Sequence, residues 1–223
     1  MRMGAIFLCM PRRGSQVCAG AARAFYGAKS ARGLVYRATA ATSLLTYSFN
    51  SLWCQALNDR ERHGIAYFAM IHADIEPVGE SWVDVLIDEL ERLGADVVSA
   101  VVPQRGDGGR RTSTAIEGPD PWAPQVIAAA RARDLPETFG SDAGGDLLVN
   151  TGLWVCDFRK PWVEEVCFTI RDRIVRGEGG VFQAQVRPED WEFSRDLRAR
   201  GAKLYATRKV QVTHHGERGF TFP

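Results

Sequence analysis

What this chain has little of already limits what it can be. No apolar run approaches the roughly 20 residues that a membrane-crossing helix needs. The apolar part of the first ten residues, Ala5 to Met10, is too short for the core of a secretion signal. Neither charge sign dominates: 28 Lys and Arg stand against 27 Asp and Glu, so the whole-molecule field is weak and gives no strong nucleic-acid signature. Cysteines are few. Cys9, Cys18, Cys54, Cys156 and Cys167 are odd in number and form no C-x-x-C pair, which reads as reduced thiols in a cytoplasmic protein. Neither G-x-x-x-x-G-K-[ST] nor G-x-G-x-x-G occurs, so Gly14 and Gly20 make no phosphate-binding loop of those kinds.

What is present is organised around Ile65 to Pro77. The apolar run Ile65 to Ile71 has no polar alternation, as expected of a strand buried on both faces of a parallel sheet. It changes abruptly to His72, Asp74 and Glu76, and Pro77 is expected to stop further pairing. Open α/β sheets bind ligands at that end of their strands. Imidazole and carboxylate groups on such a turn suit a divalent cation that in turn holds a diphosphate; the alternative is a plain polar loop.

Before that stretch, Ala5 to Met10 reads as a strand ending at Pro11-Arg12-Arg13-Gly14, with Ser15 capping a helix to about Ala28. The two arginines either face a nucleotide or form a solvated basic turn. Gly33 to Ala38 is a second strand, and Tyr47 to Arg60 a helix with Phe49, Leu52, Trp53, Ala56 and Leu57 on one stripe. Asn50 in its first turn is either a helix-start hydrogen-bonding residue or a ligand contact. Strand, helix, strand in this order implies a parallel sheet.

After it, Ser81 to Leu93 is a helix and Ala95 to Val102 a strand, followed by a flexible turn at Gly106 to Arg111 and a hydroxyl-rich strand at Thr112 to Ile116. A helix is predicted within Pro119 to Arg133, entered at Trp122, and a mobile loop at Gly140 to Gly145. Leu147 to Cys156 reads as one strand interrupted by Asn150 and Thr151, which either face a pocket or flank a bulge at Gly152. Pro161 to Val175 is predicted as an amphipathic helix with Trp162, Val166, Ile170 and Ile174 inward. The acids Glu189 and Asp190 open a helix to Arg200, where the dipole is expected to keep them ionised. Late strands at Lys203 to Thr207 and Val210 to Val212 lead to His214-His215-Gly216-Glu217, and neighbouring histidines on a strand face opposite ways.

Taken in order, these pieces resemble the GT-A glycosyltransferase family from Pro11 to Gly216. The matches are an apolar strand running into His72-Ala73-Asp74-Ile75-Glu76-Pro77, then Asn150-Thr151-Gly152, the Glu189-Asp190 pair and a late histidine two residues before a glycine. The resemblance implies an α/β fold of GT-A, Rossmann-like type: one domain with a mostly parallel central sheet flanked by helices. Residues up to about 105 would serve the nucleotide and the rest the acceptor. It implies a metal-dependent transfer of sugar from a nucleotide-diphosphate sugar to an acceptor hydroxyl, with inversion. The acceptor is left open among glycan, lipid, protein, small molecule and modified nucleobase.

By the same resemblance, Asp190 is the base, with Glu189 as the neighbouring candidate. Asp74 and His214, with Glu76 if the motif is shifted, would hold the cation. Pro11, Arg12, Arg13, Asn50, His72, Asp74, Asn150, Thr151 and Gly152 would line the donor site. The family's first aspartate falls on His72 here, which leaves one hard ligand fewer and favours Mn²⁺ over Mg²⁺ if a histidine nitrogen joins. Three other readings compete: a sugar-phosphate nucleotidyltransferase, whose glycine-rich first loop is missing; a metal-dependent hydrolase; and a non-catalytic nucleotide-sugar or glycan-binding module.

Overall fold

The computed structural model describes residues 3–14, 16–105, 108–216 and 220–221. The expected cap Ser15, Gly106 and Asp107 of the flexible turn, and Glu217 lie outside them. In chain order the elements are β1 (Ala5–Arg12), α1 (Ala19–Gly27), β2 (Val35–Ala41), α2 (Leu45–His63), β3 (Ile65–Ile71), β4 (Ile75–Pro77), α3 (Trp82–Leu93) and β5 (Val97–Ala100). There follow β6 (Arg111–Ile116), β7 (Gln125–Ala128), α4 (Ala129–Asp134), β8 (Thr138–Phe139), β9 (Leu147–Leu148) and β10 (Leu153–Asp157). The remainder is β11 (Arg171–Arg176), β12 (Phe182–Arg187), α5 (Glu189–Ala199), β13 (Leu204–Thr207), β14 (Val212–His214) and β15 (Phe220–Thr221).

The central sheet has seven strands in the order β2-β1-β3-β10-β5-β13-β8. Strands β2, β1, β3, β5 and β13 run one way, β10 and β8 the other. This is the mostly parallel α/β sheet that the sequence implied. Strand β3 is buried along its whole length. Its Phe68 and Met70 pack into the core under α2, and its Tyr67, Ala69 and Ile71 into the core shared with α1 and α3. Helix α2 is locked by Trp53, whose indole N–H donates to Val163 O at 2.8 Å and whose ring meets Phe68, Phe158, Phe168 and Phe193 edge-on. Gly64 ends the helix at φ 60, a conformation open to glycine at little cost.

Several expected elements differ. Helix α1 starts at Ala19 and is capped by Cys18, whose Sγ accepts from Ala21 N at 3.2 Å. Pro119 to Arg133 holds strand β7 and a single turn and a half of helix rather than one long helix. The strand expected over Leu147 to Cys156 is two, β9 and β10, because Asn150 folds back to accept from Gly152 N at 2.6 Å and turns the chain. Pro77 does not stop pairing: it lies opposite Val212 in a small sheet of β4 with β14.

The largest departure is Pro161 to Val175. Only Pro161–Glu164 is helical, as a 3-10 turn, and β11 then pairs with β12 as a hairpin. Ile170 and Ile174, expected inward, are 43% and 77% exposed. The four-residue spacing that suggested a helix is here a coincidence in an extended segment whose Thr169, Ile170, Ile174 and Val175 favour strand. The glycine-rich loop Gly177 to Gly180 closes that hairpin, with Gly179 and Gly180 at φ 70 and 77.

Candidate functional site

The site forms where β3 leaves the sheet. His72 N donates to Gly152 O at 2.8 Å, so the exit of β3 is tied to the turn between β9 and β10. The His72 ring packs against Phe49, centroids 5.1 Å apart, and its Nε2 is buried without a partner among the described residues. Burial, with the positive charge of Arg105 adding to it, pulls its pKa down to about 3, so the imidazole is neutral. Two residues on, Asp74 Oδ1 is likewise buried and unpartnered, while Oδ2 is ion-paired to Arg105.

Strand β14 lies antiparallel to β4 and brings His214 opposite Ile75. His214, not His215, is the histidine beside Asp74, with Nε2 3.8 Å from Oδ2. Its ring is engaged at both nitrogens: Nδ1 hydrogen-bonds Pro103 O at 2.7 Å and Nε2 accepts from Arg105 Nε at 2.9 Å. That pairing fixes a neutral tautomer, consistent with a pKa lowered chiefly by burial. His215 points the other way, to Glu76 at 2.7 Å.

Three sequence expectations are corrected here. Glu76 is no partner of Asp74: its carboxylate is held by His215 and Arg23 and lies over Gly20 of α1. Asn50 does not face a nucleotide, because its amide is spent on the backbone of Phe168, donating to O at 2.9 Å and accepting from N at 2.8 Å. The donors expected to hold Mn²⁺ are engaged by a cation of the protein itself. Among the described residues no cluster of three or more His, Cys, Asp or Glu side chains could hold one. The Arg105 guanidinium bridges Asp74 and His214 instead.

A cleft of about 770 Å³ opens over these groups, lined by Arg13, Gln16, Cys18, Asp74, Arg105 and His215 among others. Cys18 N donates to Ala73 O at 2.8 Å, which aims the start of α1 and its partial positive charge at the cleft. Pro11 is buried in the sheet, and Arg12 is half-buried with Nε lacking a partner among the described residues. Arg13 is the arginine of this pair that reaches the cleft.

Asp190 reaches the same region through Asn150. Asn150 Nδ2 donates to Asp190 Oδ2 at 3.3 Å, its Oδ1 holds Gly152 N, and Gly152 O receives His72 N. Ser99 Oγ donates to Asn150 O at 2.5 Å, and Thr151 Oγ1 beside it is buried and unpartnered among the described residues. The expectation that the helix dipole keeps Asp190 ionised is overturned. Burial, then the neighbouring charge of Glu189, pushes its pKa up to about 8, against a hydrogen bond from Trp191 N at 2.8 Å. Glu189 is also raised by burial. Trp191 is half-buried and donates its indole N–H to Ser113 O at 3.2 Å.

Sequence reasoning missed Arg105, Gln16 and the capping role of Cys18. The one signal for Arg105 was position, the first cation after a strand that ends at the ligand-binding edge of the sheet.

No protein-family model matches the sequence, and no curated protein matches it. Among solved structures, A197 from STIV superposes with a TM-score of 0.56 at 10% identity, over 97% of this chain and 86% of that one. UDP-glucose pyrophosphorylase complexed with UDP-glucose gives 0.44 at 10% identity, over 96% and 93%. A putative UDP-N-acetylglucosamine pyrophosphorylase from Entamoeba histolytica gives 0.43 at 10% identity, over 92% and 73%. The likeness to A197 shows a shared fold, and the two looser superpositions carry no argument.

Proposed function

We propose that the protein binds a nucleotide-diphosphate sugar in the cleft above β3 and transfers the sugar to an acceptor hydroxyl. One observation carries this reading. Asp74, whose Oδ1 is buried and unpartnered among the described residues, lines a cleft that bears Arg13 and Arg105, and at the same end of the sheet His72 Nε2 and Thr151 Oγ1 are buried in the same condition. Buried polar atoms in that condition cost stability unless a ligand completes them.

In this reading Arg13 and the start of α1 face the diphosphate, and His72 and Asp74 take the ribose hydroxyls. Thr151 faces the sugar, and Asn150 holds Asp190 and the turn at Gly152 in place. The acceptor oxygen attacks the anomeric carbon, whose bond to the diphosphate oxygen breaks with its electron pair leaving on the nucleotide. The acceptor proton passes to Asp190, and direct displacement inverts the carbon. With a pKa of about 8, only about a tenth of Asp190 is the active carboxylate at pH 7.

That same protonated state favours a second reading, nucleotidyl transfer. There a sugar phosphate attacks a nucleoside triphosphate through an oxygen already ionised, pyrophosphate leaves, and no base is needed. The test is product analysis with nucleotide sugars and acceptor hydroxyls, and in parallel with nucleoside triphosphates and sugar phosphates. Nucleoside diphosphate with a glycosylated acceptor supports sugar transfer, and pyrophosphate supports the second reading. Donor hydrolysis without acceptor preference points to a hydrolase, and binding without turnover to a binding module.

A further inference from the structure

Resting on the sugar-transfer reading, we infer that the Arg105 guanidinium is the protein's built-in cation: it occupies the place between Asp74 and His214 and meets the departing diphosphate itself. Three features carry this. First, the backbone leading to Arg105 is fixed, because Pro103 bridges to Thr112 and Gln104 N donates to Arg111 O at 2.8 Å. Second, the side chain is aimed by two protein groups, Asp74 Oδ2 and His214 Nε2, while lining the cleft.

Third, the same short segment sets the tautomer of His214. Pro103 O accepts a hydrogen bond from Nδ1–H, which leaves the Nε2 lone pair for Arg105 Nε. The lone pair a metal would need is therefore engaged by a group that is charged at every working pH.

A planar guanidinium suits phosphate oxygens by paired N–H bonds. As the bond from the anomeric carbon to the β-phosphate oxygen breaks, its electron pair remains on that oxygen, and Arg105 stabilises the charge there without gaining or losing a proton. Arg105 thus acts as a fixed positive charge, and the reaction it serves is insensitive to chelators.

Calorimetric titration of the full chain with the diphosphates of uridine, guanosine, adenosine and cytidine, in EDTA and again in Mn²⁺, tests this. The inference expects at least one to bind in EDTA with an affinity within about threefold of that in Mn²⁺, weakened about tenfold or more in Arg105→Ala through loss of a paired phosphate contact. Arg105→Lys, which keeps the charge and loses the fork, is expected to fall between them. Binding by the unmodified protein that appears only with Mn²⁺, or variants that bind as well as it does, overturns the role of Arg105 and leaves the sugar-transfer reading standing. No binding of any diphosphate in either condition overturns both.

Discussion

Asp190 stands in the first turn of a helix, where the dipole favours the anion, and yet burial outweighs it. Its pKa of about 8 lies above the ordinary value of 3.8, so folding takes up a proton. The stability it contributes is full below about pH 4 and is lost as pH rises toward 8. Asp190→Asn removes this dependence, and its melting temperature is expected to gain on the unmodified protein progressively across that range in a pH series of thermal melts. The same variant is expected to lose transfer by about 10²-fold or more, while the transfer rate of the unmodified protein rises with pH up to about 8. Asn50 makes the opposite contrast. Asn50→Ala leaves Phe168 N and O without the amide that holds them, and denaturant unfolding is expected to show a loss of about 1–3 kcal/mol with diphosphate binding unchanged. Asp74 was readable in the sequence because an apolar strand ran straight into it, and His214 because a glycine follows two residues later. Arg105 belongs to no short pattern, since its partners are 31 and 109 positions away, the differences of residue numbers 105 and 74 and of 214 and 105.

Among the elements, those with a long period and clear ends were legible. Helix α2 carried its stripe and its terminal glycine, and α3 carried Trp82, Leu86, Leu90 and Leu93 ahead of Gly94. The hairpin of β11 and β12 was not, because Trp162, Val166, Ile170 and Ile174 reproduce helical spacing with no capping residue to contradict it. The difference is measurable. Ile174→Ala on the exposed hairpin is expected to change unfolding free energy by no more than about 0.5 kcal/mol, as an inward helical residue would not. Trp53→Ala on α2 removes a ring at the centre of the aromatic cluster and the donor to Val163 O. Chemical denaturation is expected to show a loss of about 3–5 kcal/mol.

At the scale of the molecule, the parallel sheet and its helices followed from apolar runs alternating with amphipathic stretches, whereas the insertion of β10 between β3 and β5 did not. Antiparallel pairing across that distance leaves no local mark on a strand buried on both faces. Residues on both sides of position 105 build one core, in which Phe7 and Phe68 pack with Trp154 and Phe193. The candidate site spans that position too: Asn150 and Gly152 join His72 from the early part to Asp190 from the late part, and His214 lies directly beside Asp74. A crystal structure of the protein with the tightest-binding nucleoside diphosphate tests this account most directly. The diphosphate is expected within hydrogen-bonding distance of the Arg13 and Arg105 guanidinium groups, with the ribose hydroxyls toward His72 and Asp74. A diphosphate seated elsewhere, touching neither arginine, would contradict it.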